Sequence, residues 1–359
     1  MGRPATATID LAAIKHNYDI AKRLSPQGGK AMAIIKANAY GHGAVQVAHY
    51  LEDHVDAFGV ACIEEAVELR DAGITKAILL LEGFFSTDEL DYIRHHNLWC
   101  ALHDEQQIAA LAALKPGLKI NIWLKMDSGM HRLGIAPENY AKAYERLRGL
   151  DVVDEIVMMS HFSSADELGL TKTRQQIESF DQATKGIDAP ISIANSAGVL
   201  AHDDARRHWQ RPGIMLYGSS PFEGGQENAD HLKPTMMLTS EIIAVRSLQA
   251  GDAVGYGERW VCDKSTIVGT VAMGYADGYP RHCVDGTPVM VDGVRTRVIG
   301  RVSMDMMTVD LSNVPTAKIG SAVELWGAHV SVNDVAACAQ TISYTLFTGI
   351  TKRVHKCYI

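Results

Sequence analysis

The chain is poor in cysteine, and its six cysteines form no recognisable set. They stand at positions 62, 100, 262, 283, 338 and 357 of 359 residues, with no CxxC pair and no spacing typical of metal ligands. This scatter argues against a disulfide scaffold and predicts a reducing compartment. His202 and His208 have no third partner at a suitable spacing, so we predict no metal site.

Long hydrophobic runs and an excess of basic residues are also absent. No apolar segment approaches the ~18 residues of a membrane-spanning helix, and the opening MGRPATATIDLAAIKHNY lacks the apolar core of a signal peptide. The 34 Lys and Arg residues stand against 42 Asp and Glu, a formal net charge of −8. We therefore expect no membrane and no nucleic-acid partner, and a soluble cytoplasmic protein.

The first two-thirds of the chain alternates short apolar runs with helix-like segments. The runs lie at 31–38, 57–62, 76–83, 98–103, 118–127, 155–162, 191–196 and 211–218. Apolar strands separated by helices are typical of a parallel sheet that is covered on both faces. Eight such units predict an α/β fold, a (β/α)8 TIM barrel.

The pattern changes near Met236. Strand-like segments follow at 237–248, 265–273, 287–300 and 306–311, with a hairpin signal at Asp292-Gly293 and little helical sequence. The polar segment 218–234, which contains Gly and Pro, suits a linker. We therefore predict a barrel over residues 1–230 and a C-terminal, mostly β domain over 231–359.

Reactive and hydrogen-bonding side chains stand at the predicted strand ends. They are Lys36, Lys125, Arg132, His161, Asn195, Ser196 and Arg211. Each has an ordinary explanation, because every strand meets water somewhere, a lone histidine is usually a core residue and a serine often caps a helix. A TIM barrel builds its active site at the C-terminal ends of its strands, so the whole set predicts such a site.

The ends of strands seven and eight offer a phosphate site. Barrels of this kind commonly hold a phosphate there with backbone amides and a hydroxyl, which Gly213, Ile214 and Ser196 can supply. A phosphate site beside the strand-end Lys36 predicts pyridoxal 5'-phosphate, which a lysine binds covalently. A dinucleotide loop is rejected, because Gln46 stands where a third glycine would follow Gly41 and Gly43.

Motifs spread over nearly the whole chain carry a family resemblance. They are KANAYGHG (36–43), LKMDSGMHRLG (124–134), SHF (160–162), ANSAG (194–198), RPGIMLYG (211–218), VGYGERW (254–260), GYADGYPR (274–281), GRVSMD (300–305) and ISY (342–344). With them the chain resembles the bacterial alanine racemases, fold-type III pyridoxal phosphate enzymes, and most of all their catabolic Gram-negative members. The resemblance implies an isomerase that interconverts L-alanine and D-alanine as a homodimer with shared active sites. It leaves open a role in peptidoglycan precursor supply or in alanine catabolism.

The resemblance also implies roles for single residues. Lys36 anchors the cofactor and is one base, and Tyr256 of the partner subunit is the other. The remaining roles are phosphate binding (Tyr40, Ser196, Gly213, Ile214, Tyr344), cofactor support (His161, Asn195), substrate carboxylate binding (Arg132, Met304) and the entryway (Asp166, Tyr275, Arg281, Arg301). Arg211 faces the pyridine nitrogen and, with a pKa above 12, does not give up its proton. The ring nitrogen then stays unprotonated, which favours racemisation over transamination.

Lys125 is expected to point into the barrel, because residues 121, 123 and 125 share one face of the fifth strand. Lys125 and Arg132 would then be two cations near the mouth of the barrel. Such a pair repels by ~4 kcal/mol at ~4 Å with an effective dielectric near 20. The resemblance implies that Lys125 carries a carbamate that pairs with Arg132; the alternative is a neutral or outward-turned lysine. Ser192 and Ser303 depart from the family pattern, which has histidine and cysteine at these places in many members.

Alternatives to an alanine racemase remain at this point. A broad-spectrum amino-acid racemase or a decarboxylase of the same fold type would share these motifs. A non-catalytic pyridoxal phosphate carrier would resemble the barrel alone, so the second domain and Tyr256 argue against it.

Overall fold

The computed structural model describes residues 2–359 and divides into two compact units. One unit is Ile14–Leu232, and the other combines the residues up to Ala13 with Lys233–Ile359. Strand β1 (Thr6–Ile9) and helix α1 (Leu11–Leu24) come first, and the division falls within α1. No helix within residues 2–359 combines the length and the apolar composition that crossing a bilayer requires.

A sheet of eight parallel strands forms the first unit, in the order β8-β7-β6-β5-β4-β3-β2-β9. The strands are β2 (Lys30–Ile34), β3 (Ala57–Val60), β4 (Ile78–Leu80), β5 (Leu98–Leu102), β6 (Ile120–Lys125), β7 (Val153–Met159), β8 (Ile191–Ser192) and β9 (Trp209–Gln210). The helices are α2 (Lys36–Tyr40), α3 (Ala44–Leu51), α4 (Ile63–Asp71), α5 (Glu89–His95), α6 (Glu105–Ala112), α7 (Pro137–Arg148), α8 (Lys172–Ala183) and α9 (Ser196–Ala201). Just beyond the ends of β9 and β8, the Arg211 N–H donates to the Ala194 carbonyl at 3.0 Å and links the first and last strands of this order. The predicted TIM barrel is confirmed.

Three tryptophans meet inside this barrel. The ring of Trp209 on β9 lies 5.5 Å from that of Trp99 on β5 and 5.4 Å from that of Trp123 on β6. Because β9 is not a sheet neighbour of β5 or β6, these contacts cross the barrel interior. Trp123 therefore points inward, and alternation along β6 places Lys125 on the same inward face.

The strands are shorter than most of the predicted apolar runs, and one run contains no strand. The run at 211–218 is not a strand: β9 precedes it, and Ile214–Tyr217 form a 3-10 turn. Pro212 cannot donate to a strand ladder, and the run is apolar because it is buried. The first strand ends at Ile34 instead of reaching position 38, and the seventh is limited to Ile191–Ser192.

The second unit is mostly β, as predicted, and its strands are built around one long strand. The strands are β10 (Met236–Leu248), β11 (Ala253–Val254), β12 (Trp260–Val261), β13 (Thr266–Val271), β14 (Pro288–Val291), β15 (Val294–Arg297), β16 (Met307–Asp310), β17 (Ala322–Trp326) and β18 (His355–Tyr358), with helices α10 (Val332–Cys338) and α11 (Ser343–Gly349). Register shifts in β10 let it pair with β17 and β1 along its first half and with β13 along its second. The predicted hairpin joins β14 to β15, with φ of 47° at Asp292 and 79° at Gly293.

Strand β1 belongs to this second unit. It pairs antiparallel with β10, Thr6 opposite Thr239, and parallel with β18, Thr6 opposite His355. The predicted division at 230/231 assigns residues 1–13 to the barrel, whereas the structure groups the described residues 2–13 with the β unit. The physical reason is the ladder, because β1 is hydrogen-bonded on both sides by strands of that unit.

Candidate active site

Lys36 lies just after β2, at the start of a left-handed helical turn. Residues 37–40 have φ of 52°, 55°, 52° and 50°. The amides of Ala39 and Gly41 donate to carbonyls four residues earlier, at 2.8 and 3.0 Å. A left-handed helix costs about 1–2 kcal/mol per residue for L-amino acids. Such a conformation persists only where its surroundings impose it, and it is concentrated at functional sites.

Hydrogen bonds from outside the turn hold its two ends. The Glu65 carboxylate accepts the Ala37 N–H at 2.6 Å and, through its other oxygen, the Ala61 N–H at 2.8 Å. Within the turn, Oδ1 of Asn38 accepts the N–H of Ala44, a residue beyond the far end of the turn, at 2.8 Å. These bonds fix the backbone on both sides of the strained residues.

An aromatic stack covers the same turn. The rings of Tyr40 and His42 lie 4.7 and 4.6 Å from the ring of Tyr217. The Tyr217 hydroxyl donates to the Ile34 carbonyl at 2.8 Å, and all three rings are buried. Burial raises the pKa of Tyr40 to about 12, so its hydroxyl keeps its proton at neutral pH.

Two hydroxyls and a glycine form a cradle beside the turn. The Ser196 hydroxyl accepts the N–H groups of Gly213 and Met215 at 2.8 and 3.3 Å. A Cβ placed on Gly213 would lie 2.8 Å from the Tyr40 hydroxyl and 3.8 Å from that of Ser196. Only glycine therefore leaves this space open. Ile214 follows in the buried 3-10 turn.

Arg211 is 3% exposed and is held by three carbonyl groups and a hydroxyl. Its Nη1 donates to the Ser192 carbonyl at 2.7 Å and to the Ser192 hydroxyl at 2.5 Å, and its Nη2 donates to the carbonyls of Ser160 at 2.5 Å and Ile193 at 3.5 Å. Ser192, noted above as a departure from the family pattern, is thus the arginine's own support. Burial lowers the pKa of Arg211 to about 10, which leaves it charged at neutral pH.

Lys125 and His161 face a group of cations. Burial, followed by the charges of Arg211, Arg132 and Lys36, lowers the pKa of Lys125 to about 8, and Glu82 opposes this shift. Burial and the same cations, together with Lys125, hold the pKa of His161 well below its ordinary value. His161 is therefore neutral, and Lys125 lies close to losing its proton.

The other predicted barrel residues are more peripheral. Asn195 caps α9, its side chain accepting the Gly198 N–H at 3.0 Å, so the cap is Asn195 and not Ser196. Arg132 is exposed and acts on Lys125 through its charge. Asp166 is exposed on the segment between β7 and α8.

In the second unit, Tyr256 is presented at the surface. It is 67% exposed, in a 3-10 turn between Gly255 and Gly257, whose φ values are 75° and 70°. The backbone of Arg301 lies beside Gly255. Arg259 fixes this region by donating to the Gly300 carbonyl at 3.0 Å and pairing with Asp285 at 3.1 Å.

Met304 lies in a loop that is locked to the loop of Tyr275. The Tyr275 N–H donates to the Ser303 carbonyl and the Ala276 N–H to that of Met304, both at 3.0 Å. The guanidinium of Arg281 lies 5.9 Å from the Tyr275 ring.

An ion-pair network around a fully buried carboxylate holds these loops. Arg3 pairs with Asp277 at 2.6 Å, and Arg353 with Asp277 at 3.2 Å and with Asp305 at 2.6 Å. The Asp277 carboxylate also accepts the Gly274 N–H at 2.9 Å. Tyr344 stands elsewhere in this unit, in the first turn of α11.

Sequence reasoning missed residues that support the predicted site residues within each unit. In the barrel they are Glu65, Asn38, His42 and Tyr217, and in the second unit they are Asp277, Arg3 and Arg353. Glu65 lies in a helix segment, IEEAVELRD, whose charges look like an ordinary solvated face. His42 and Asn38 lie inside a motif that carried the resemblance, which is the signal that could have found them.

The donor set in the barrel fits pyridoxal 5'-phosphate. An amine at Lys36 and a cradle of two hydroxyls and an open glycine match its aldehyde and its phosphate. When bound, this cofactor withdraws electrons from a substrate amino acid and makes its Cα proton acidic. The residues that would hold its phosphate are Tyr40, Ser196 and Gly213.

Comparisons with known proteins agree with this chemistry. The family model described as "Alanine racemase, N-terminal domain" matches residues 9–221, and "Alanine racemase, C-terminal domain" matches 235–358. An alanine racemase of Pseudomonas taetrolens and a catabolic alanine racemase of Pseudomonas putida are each 53% identical over 99% of both chains. The crystal structure of the biosynthetic alanine racemase from Pseudomonas aeruginosa superimposes with a TM-score of 0.95, at 46% identity over 99% of each chain. The chain therefore belongs to the alanine racemase family.

Proposed function

We propose that Lys36 and Tyr256 of the partner subunit are the two acid–base groups with which this chain interconverts L-alanine and D-alanine. As a member of its family the chain is a pyridoxal 5'-phosphate-dependent isomerase. The observation that carries the proposal is the left-handed turn. It connects Lys36 to Tyr40, four residues later, and Tyr40 borders the Ser196–Gly213 cradle.

Two bases are required because racemisation removes a proton from one face of Cα and returns one to the other. The Lys36 amine serves the face on its own side. Tyr256 serves the opposite face, and its 67% exposure in the single chain supports a role toward a second subunit. Because the two bases come from different chains, the enzyme is a homodimer with shared active sites.

The remaining barrel residues set the electrostatics. Arg211, fixed by four acceptors, would hold its positive charge toward the ring nitrogen of a bound cofactor and so disfavour protonation there. His161 and Asn195 support the cofactor, and Ile214 and Tyr344 complete the phosphate site.

The substrate's carboxylate is gripped by Arg132 and the backbone amide of Met304. Asp166, Tyr275, Arg281 and Arg301 line the entryway. Lys125 carries a carbamate: its neutral amine forms an N–C bond to carbon dioxide and releases one proton to water, and the resulting negative charge pairs with Arg132. Lys125→Ala should lose activity that chloride or small carboxylates partly restore, and a full-activity variant would refute this role.

Alternatives of the same fold type are not favoured. Full-length identity of 53% joins this chain to racemases of alanine, which leaves no support for a decarboxylase or a broad-spectrum racemase. The match over residues 235–358 disfavours a carrier built from the barrel alone. We further propose that the enzyme works in the cytoplasm, in keeping with six unpaired cysteines.

Borohydride reduction followed by peptide mapping tests the assignment of Lys36. The holoenzyme should carry the reduced cofactor on Lys36, and a label on another lysine would refute the assignment.

Exchange of the Cα proton of each enantiomer in D2O tests the second base. Tyr256→Phe should slow exchange of L-alanine more than that of D-alanine, and equal slowing would contradict the split between the two bases.

A further inference from the structure

The carboxylate of Glu65 is the contact that joins the start of the left-handed turn to a neighbouring helix. It lies in the first turn of α4 and binds the Ala37 N–H with one oxygen and the Ala61 N–H with the other, at 2.6 and 2.8 Å. Ala37 is the residue directly after Lys36. A single side chain thus connects the backbone at the proposed base to the loop between β3 and α4.

The charge of this side chain suits the place. The first amides of a helical turn have no partner inside it, and a negative group near them is stabilised by the aligned peptide dipoles. Glu65 meets this requirement for the turn at residues 37–40, and its place in the first turn of α4 also puts its charge at the N-terminal end of that helix. Because alanine and tyrosine disfavour positive φ, the turn depends on such outside contacts.

The position of Tyr40 depends on the same turn. In a helix of either hand, residues four apart lie on one face, so the left-handed turn brings positions 36 and 40 to the same side. Tyr40 borders the cradle at Gly213. A shift of the backbone at Ala37 would therefore move the amine and the phosphate-binding hydroxyl together.

We propose that Glu65 is a positioning residue that holds Lys36 and Tyr40 in register for the cofactor. The role rests on the proposed function of Lys36. Glu65 does not touch the reacting atoms. It fixes the backbone that carries two groups that would contact the cofactor, the Lys36 amine and the Tyr40 hydroxyl.

Glu65→Gln is the central variant, because its amide keeps the size of the side chain but retains a single acceptor oxygen for two N–H groups. Glu64→Gln is the matched control: Glu64 is the adjacent residue of α4, is exposed, and its side chain bonds Cys62 where that of Glu65 bonds Ala37. Glu65→Asp keeps the charge on a shorter stem and takes the place of the glutamine variant if that variant does not fold.

Two measurements on the full-length chain separate positioning from a general loss of structure. Hydrogen exchange of the cofactor-stripped protein should show the amides of Ala39, Gly41 and Gly43 exchanging about tenfold faster in Glu65→Gln, with the amides of β6 unchanged. The dissociation constant of pyridoxal 5'-phosphate should rise about tenfold, while KM for alanine changes less than about twofold. Glu64→Gln should match the wild type in both.

The outcomes distinguish this proposal from the one on which it rests. Unchanged exchange and unchanged cofactor affinity in Glu65→Gln would overturn the positioning role and leave Lys36 as the anchor. A rise in KM with unchanged cofactor affinity would also overturn it, because the loss would then lie with the substrate. A reduced cofactor mapped to another lysine would refute the proposed function, even with faster exchange at the turn.

Discussion

Lys125 shows how strongly the barrel interior changes the pKa of a single side chain. It is buried on the inward face of β6. The positive charges of Arg211, Arg132 and Lys36 lower its pKa further, and the negative charge of Glu82 raises it. Its pKa of about 8 lies below the ~10.4 of a lysine in an unfolded chain. Between these values the unfolded state binds more protons than the folded state.

This difference predicts how stability depends on pH. The unfolding free energy rises with pH wherever the unfolded state binds more protons. The contribution of Lys125 to this free energy should therefore increase from about pH 8 to about 10.4. We expect the wild type to gain on the order of 2 kcal/mol relative to Lys125→Met over this range. Urea unfolding of the cofactor-stripped enzyme in carbon dioxide-free buffer measures the gain.

Lys119→Met is the control for this comparison, because Lys119 is an exposed lysine just before the same strand. Its difference from the wild type should not depend on pH over the same range. A pH-independent difference for Lys125→Met would show that the folded-state pKa is not lowered.

At the scale of single elements, the left-handed turn explains both the success and the failure of sequence-based prediction. The apolar run 31–38 predicted a strand with Lys36 at its end; the strand exists, but it ends at Ile34, two residues before Lys36. The turn could not be predicted, because alanine, asparagine and tyrosine carry no general preference for four successive positive φ angles. The segment 211–218 failed for another reason, since burial makes a 3-10 turn as apolar as a strand.

A glycine at position 37 should not lower the free energy of unfolding, unlike a glycine in an ordinary helix. Ala37 is exposed and has φ of 52°, a region where glycine avoids the steric cost of Cβ. We expect Ala37→Gly to leave the unfolding free energy unchanged or raise it by up to ~1 kcal/mol. Ala109→Gly, at an exposed site in right-handed α6, should lower it by ~1 kcal/mol.

Chemical denaturation of the two cofactor-stripped variants provides the comparison. Equal losses of stability for Ala37→Gly and Ala109→Gly would mean that residue 37 is not left-handed in solution. The same pair tests the backbone without removing any side-chain contact beyond a methyl group.

For the whole molecule, the sequence predicted a barrel followed by a β unit, but it could not assign the first strand. Residues 6–9 alternate between buried and half-buried, a pattern that suits either unit. Their partners lie more than 200 positions later, and local periodicity carries no information about such pairing. The motif residues could be named from the sequence, and their roles stay predictions, whereas the supporting network of Asp277, Arg3 and Arg353 depends on the same distant pairing.

Mixed dimers test whether the whole enzyme needs two chains. Lys36→Ala and Tyr256→Phe subunits should each be nearly inactive, but a dimer of one of each has one site with both bases intact. Random reassociation should therefore restore about a quarter of wild-type activity. Lys36→Ala mixed with the double variant is the control and should restore none, and no recovery in verified mixed dimers would argue against shared sites.

The pairing of β1 has a consequence for synthesis on the ribosome. The barrel, Ile14–Leu232, is continuous in the chain and can fold as it emerges, but β1 must wait for β10 and β18. At roughly 5–20 residues per second, the delay is on the order of tens of seconds. During that time β1 has no strand paired to either edge, while the barrel that follows it in the chain is folding. Its brevity, four residues with two threonines, limits the surface it offers to other nascent chains.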